Sequence, residues 1–201
     1  MSEPRSTEFP RIISRKATIV SPWVTLLEKE VRLTADAPCE VFHSITQRDY
    51  VAALAMTRSG RIPLVRQYRP AVEGYTWEFP AGTVDDGETP AQAMAREIIE
   101  ETGLRPEAVH EIGSYHPDSG RLSVRSTGYF AICADDDPRP VHEAQLEVRF
   151  VTLGELLELV DTGDFRHQLH VALLTSAVVR GHIMLPNRRY DGTAPLLADR
   201  R

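Results

Sequence analysis

Between Gly82 and Leu104 the chain reads GTVDDGETPAQAMAREIIEETGL, which sets Glu97, Glu100 and Glu101 beside a single arginine, Arg96. Acidic side chains three or four positions apart on a helix are neighbours, and exposed like-charge pairs at that spacing cost roughly 0.2 to 0.5 kcal/mol each. One guanidinium cannot neutralise three carboxylates, so the cluster calls for a further cation. Oxygen-only donors of this kind select hard divalent ions, Mg²⁺ ahead of zinc. The ordinary alternative is a solvated acidic face on an amphipathic helix. Against it, Glu101 falls at the border of the apolar arc, where an unpaired charge is costly. The segment FPAGTVDDGE just upstream also supplies a Pro- and Gly-containing loop able to bring backbone carbonyls close to the helix start.

The element that must position these acids is a helix from Pro90 to Thr102. Thr89 and Gln92 form a T-x-x-Q capping box, Pro90 suits the first helical position, and Gly103 stands where a left-handed C-terminal cap is expected. At about 100° per residue, Ala91, Met94, Ala95, Ile98 and Ile99 gather on one arc facing the core, with Glu97, Glu100 and Glu101 on another.

Around this helix the pattern is largely β. From Lys16 to Phe79, ATIV, WVTLLEKEVRL, EVFHSI, VAALAM and IPLVRQY carry alternating or β-branched apolar residues punctuated by turn signals, among them RSG at Arg58 to Gly60. After the helix, AVHEIGSYH, STGYFAICA and EVRFV read as strands. Thr152 caps a helix through GELLELVDTG, and HQLHVALLTSAVVRGH is a third helical stretch, whose His167 and His170 read as packing in an apolar helix. The order predicts a mixed α/β domain over residues 51–184, an N-terminal β extension over 1–50 and a loosely held tail over 185–201.

The 201 residues carry a formal net charge of -6, which argues against a general polyanion-binding surface and against nucleic acid as a partner. Cys39 and Cys133 lack the paired spacing of a zinc or redox motif, which fits a reducing cytoplasm. The polar N-terminal stretch has no signal-peptide core, and no apolar run approaches the roughly 18 to 20 residues of a membrane span, so export and anchoring are not expected.

Gly82, Glu88, Arg96, Glu97, Ile98, Glu100, Glu101, Gly103 and Leu104 fit every fixed position of G-x5-E-x7-R-E-U-x-E-E-x-G-U, with U aliphatic, and so the chain resembles the Nudix hydrolases. The resemblance implies an α/β/α sandwich with a mixed sheet. It also implies Mg²⁺, for which Mn²⁺ can substitute, held by Glu97, Glu101 and Glu100 with the Ala81 carbonyl. Arg96 and Glu88 would orient those carboxylates. The flanking VRQYRPAVEGYTWEFPAGTVDDGE is similar to the ADP-ribose pyrophosphatase group, in which such an N-terminal extension is shared, and this suggests a homodimer built through it.

By that resemblance the expected reaction is hydrolysis of a nucleoside diphosphate sugar, ADP-ribose first, to AMP and ribose 5-phosphate. Arg69 is placed to contact the diphosphate in a forked geometry. Glu78 is either a substrate ligand or an ordinary buried pair, and Trp23 is either a base-stacking platform or core. Pro117 stands near a proline of that group, but DSGRLSVRS replaces an acidic residue with Arg121 and Arg125, each either a phosphate or sugar contact or a surface residue. The group's general base lies on a loop well after the signature, where PVHEAQLEVRF offers Glu143 first and Glu147 second. The alternatives are a Nudix hydrolase for another nucleotide derivative and a module that binds a nucleotide without cleaving it.

Overall fold

The computed structural model describes residues 9–135 and 146–185. Its first three strands, β1 (Arg11–Ser21), β2 (Val24–Arg32) and β3 (Cys39–Thr46), form an antiparallel sheet of their own in the order β1-β2-β3. Strand β1 begins five residues before the Lys16 start read from the sequence. This sheet leans on the rest of the molecule along one edge. The Ile45 N–H donates to the Arg121 carbonyl at 2.8 Å, and the Ser123 N–H donates to the Ile45 carbonyl at 2.9 Å. Ile12, Ile19, Val20, Leu26, Val41, Phe42 and Ile45 on it remain exposed.

The remaining described residues form an α/β/α sandwich. Strand β4 (Tyr50–Thr57) runs parallel to β9 (Ser126–Cys133) at the centre of a mixed sheet of order β7-β4-β9-β8, completed by β7 (Ala81–Thr83) and β8 (Pro106–Tyr115). A second, antiparallel sheet has the order β10-β5-β6, from β5 (Ile62–Arg69), β6 (Gly74–Glu78) and β10 (Glu147–Val151). The predicted RSG turn joins β4 to β5, with Gly60 at φ 83°.

The period-2 alternation of β4 divides the core. Val51, Ala53 and Ala55 pack with Ala93, Met94 and Ile98 of helix α1 (Pro90–Thr102). Ala52 and Leu54 turn the other way, into a cluster with residues of α2 (Leu153–Thr162) and α3 (Gln168–Val179). Among the described residues no helix is long and apolar enough to cross a membrane.

Helix α1 has the bounds its caps predict. The Thr89 side chain accepts from the Gln92 N–H, Gln92 accepts in return from the Thr89 N–H, and Gly103 closes the helix at φ 72°. Its orientation differs from the expected one. The buried arc comprises Ala93, Met94, Glu97, Ile98, Glu101 and Thr102, while Ala91 and Ile99 face outward, Ile99 at 39% exposure. The helix lies against β7 as well as β4, so the face turned inward includes two of the three acids.

Candidate active site

Glu97 and Glu101, at 8% and 4% exposure, are packed beneath the short strand β7. The Ala81 N–H donates to Glu101 Oε2 at 2.9 Å, which ties the end of α1 to the start of β7. The Glu97 carboxylate sits against the Cα of Gly82 where a Cβ would otherwise stand. Gly82 has no left-handed φ, so glycine is needed there for close approach and not for backbone freedom.

Arg96 organises the outer part of the cluster. Its Nε and Nη2 donate to the two oxygens of Glu88 at 3.1 and 3.0 Å, Nη1 donates to Glu97 at 2.8 Å and Glu100 at 3.0 Å, and Nη2 reaches the Thr83 carbonyl at 3.1 Å. The bonds from Arg96 hold the Glu88 carboxyl below its ordinary pKa, and the Glu88 bond, with Glu97 and Glu100 beside it, raises that of Arg96. One cation thus donates to three carboxylates, with that of Asp85 a further 3.9 Å neighbour. Two further features fit a divalent ion: the donors are all oxygens, and Glu97, largely buried like Glu101, sits in a space that only glycine at position 82 leaves open.

Directly in front of this cluster lies a cavity of about 560 Å³, a size ordinary for small-molecule sites. Ala81, Gly82 and Thr83 form one wall, with Arg69 and Glu78 beside them and His167, Leu169 and His170 of the α3 end adjoining. Trp23, from the β1–β2 turn, together with Gln47, Arg48 and Tyr50, completes it, so the N-terminal sheet contributes to the same space. Beyond Leu169 lies a smaller cavity of about 190 Å³, which Pro117 and Gln168 also line.

Arg69 is held in a fork, Nε to Glu78 Oε1 at 2.8 Å and Nη2 to Glu78 Oε2 at 2.6 Å. Glu78 is fully buried and also accepts from Thr76 Oγ1 at 2.5 Å. Burial alone would raise its pKa, but the bonds from Arg69 and Thr76 outweigh that and bring it down to about 2. Arg69 therefore has Nη1 and the second hydrogen of Nη2 left for the cavity.

The donor atoms of Glu78, His167 and His170 lie within 4.8 Å of one another, a grouping that could hold a metal ion. Two of the three donors are already engaged. Glu78 is bound as just described, and His170 Nδ1 accepts from the Phe79 N–H at 3.0 Å, which leaves the hydrogen of the neutral ring on Nε2. The carboxylates of α1 are the better fit for a hard cation.

Of the residues singled out from sequence, Glu88, Arg96, Glu97, Glu100 and Glu101 meet in one bonded cluster, and Ala81, Arg69, Glu78 and Trp23 line the cavity in front of it. Arg121 and Arg125 are exposed and line neither cavity; their backbone groups join the loop to Ile45, Asp49 and Tyr50. Glu147 is on β10, outside the cavity, and pairs with Arg66 at 2.9 Å. Glu143 lies outside the described residues. Sequence reasoning missed Gln47, Arg48 and Tyr50, and set His167 down to packing. The only local signal for His167 is its place just before an apolar helical run, at a cap position.

Comparison with known proteins agrees with this geometry. The NUDIX domain model matches residues 46–173. The CMP-5'-(N-acetyl-N-hydroxy-3-aminopropyl)phosphonate hydrolase of Streptomyces rubellomurinus is 39% identical over 105 residues, 51% of this chain and 50% of that protein. The ADP-ribose pyrophosphatase of Bacillus subtilis is 32% identical over 115 residues, 56% of this chain and 62% of that one. The chain thus spans about half the length of the curated relatives it matches. In fold it is similar to the crystal structure of an ADP compounds hydrolase, with a TM-score of 0.70 and 19% identity over 90% of this chain and 100% of that one. With the family model covering well over half of its residues, and the signature's five charged positions, Glu88, Arg96, Glu97, Glu100 and Glu101, gathered in one cluster beside Gly82, the chain belongs to the NUDIX domain family.

Proposed function

We propose that this protein is a Mg²⁺-dependent pyrophosphatase that hydrolyses a nucleoside diphosphate sugar, ADP-ribose first, to AMP and ribose 5-phosphate. The observation that carries the reading is the placement of Glu97 and Glu101 immediately behind the cavity wall formed by Ala81, Gly82 and Thr83, with the forked Arg69 on the adjoining wall. Glu97, Glu100 and Glu101, with the Ala81 carbonyl, would hold Mg²⁺, which would supply charge neutralisation of the diphosphate and acidify water for attack. Arg96 and Glu88 keep the carboxylates oriented, and Arg69 holds a phosphoryl group through its remaining N–H donors. Trp23, at 66% exposure, offers a face on which the base stacks. The water's proton goes to Glu143; the pairing of Glu147 with Arg66 supports that ranking.

The relatives named for ADP-ribose and for a CMP-linked phosphonate both support a nucleotide derivative as substrate. The second favours a runner-up reading in which another nucleoside 5'-phosphoryl derivative is cleaved at the same site. The exposed apolar residues of the β1-β2-β3 sheet support a homodimer through the N-terminal extension, and the free thiols of Cys39 and Cys133 fit a cytoplasmic setting. The deciding experiment is a hydrolysis screen with Mg²⁺ over ADP-ribose, other sugar nucleotides, dinucleoside polyphosphates, dinucleotide cofactors and CMP-linked phosphonates, with products identified by mass. AMP and ribose 5-phosphate as the fastest products support the reading, and binding without any cleavage makes the protein a sensing module instead.

A further inference from the structure

His167 immediately precedes α3 and stands in the cavity wall beside Glu78, within electrostatic reach of Arg69. Its Nδ1 is one of two buried side-chain nitrogen or oxygen atoms without a hydrogen-bond partner among the described residues. The other, Arg32 Nε, belongs to the N-terminal sheet and lines neither cavity. A buried polar atom left unsatisfied is costly, so an unpartnered Nδ1 on a side chain in a cleft wall points to a ligand. Nor does the ring hold the helix: Thr89 and Thr152 accept from first-turn N–H groups at their caps, whereas His167 makes no side-chain cap bond.

Its neighbours narrow the role. His170 stacks on it with ring centroids 4.2 Å apart, yet His170 is occupied by the Phe79 N–H, and Glu78 is occupied by Arg69 and Thr76. Building on the diphosphate reading, we infer that His167 is a substrate-binding residue that donates a hydrogen bond to the phosphoryl group held by Arg69. The ligand oxygen supplies the acceptor that Nδ1 lacks within the protein. Burial, the largest influence on the ring, pushes the His167 pKa down. A neutral imidazole still donates through one N–H and does not repel the guanidinium beside it. Arg69 and His167 together bracket one phosphoryl group from two elements, the end of β5 and the start of α3.

The test uses methylenediphosphonate, whose P–C–P bridge resists hydrolysis, titrated calorimetrically with Mg²⁺ into the full chain, His167→Ala and His167→Gln. Loss of one hydrogen bond predicts about five- to tenfold weaker binding in the alanine variant, largely restored by glutamine, whose amide also donates. Thermal stability should be unchanged or higher in the alanine variant, a result that a packing role does not give. Equal affinity in all three proteins, or no binding to the wild type, overturns the inference. So does stoichiometric Zn²⁺ binding that is lost in His167→Ala, which would assign the cluster to a metal. Because the probe carries no nucleoside, a protein that binds it through His167 yet cleaves nothing in the substrate screen retains this inference and loses the pyrophosphatase reading.

Discussion

Gly82 and Glu97 are packed so closely that the hydrogen on the glycine Cα occupies the only space the carboxylate leaves. A methyl group there would overlap both carboxylate oxygens. Gly82→Ala should therefore keep the fold, because the backbone conformation is open to alanine, while Glu97 is pushed from its place. Activity and Mg²⁺ affinity should fall about 10- to 100-fold, the usual effect of disturbing the shell that orients metal ligands. Wild-type Mg²⁺ titration curves in this variant would remove Glu97 from the ion site.

Glu101→Gln separates charge from geometry. The glutamine oxygen can still accept from the Ala81 N–H, so melting behaviour should stay near wild type. Turnover should drop by about 100-fold or more through loss of a charged ligand. A variant that turns over at the wild-type rate would place the chemistry elsewhere.

Arg96 is shared among Glu88, Glu97, Glu100 and the Thr83 carbonyl. Lysine carries the same charge but has no planar fork, so Arg96→Lys should lose about tenfold or more in Mg²⁺ affinity. Full function in Arg96→Lys would mean that charge alone matters there.

The acid limit of stability should carry the signature of His170, whose pKa burial lowers from 6.5 to about 3. Between those values the unfolded chain binds a proton that the native protein refuses. Stability from this group is thus intact above pH 6.5 and declines as pH falls toward 3, by at most about 1.4 kcal/mol per pH unit. Glu78 adds a separate loss only below its ordinary value of 4.5, continuing down to about 2. Denaturant unfolding at several pH values from 7.5 down to 4.5 should show this slope in the wild type and its loss in His170→Asn, which keeps an acceptor for the Phe79 N–H. The same slope in both proteins would assign it to another group.

Trp23 brings the N-terminal sheet to the cavity. Trp23→Ala should raise KM for the preferred nucleotide about fivefold or more, the cost of losing a base-stacking face, with little change in kcat. If the N-terminal sheet builds the proposed homodimer, removing residues 1–50 should leave a monomer in sedimentation and impair binding as well. A monomeric truncation with full activity would contradict both roles.

What could be read from the chain and what could not divide along the range of the interactions. Helix α1 was legible from Thr89 to Gly103 because capping boxes, first-turn proline and a left-handed glycine act within a few residues of one another. The acidic surplus around Arg96 was legible for the same reason, since spacings of three and four on a helix are fixed by its pitch. Strands β6 and β7 escaped notice: β7 is three small or polar residues, Ala81 to Thr83, and is a strand because β4 pairs with it.

The amino-acid sequence by itself determined the helix and the crowding of its carboxylates around one arginine. Only the tertiary structure decided that Glu97 and Glu101 turn inward with Met94 and Ile98, that Gly82 lies against one of them, and that His167 reaches the cavity holding Arg69. Each of those facts depends on which surface packs against which across tens of residues, a matter of shape between distant segments that no local periodicity encodes.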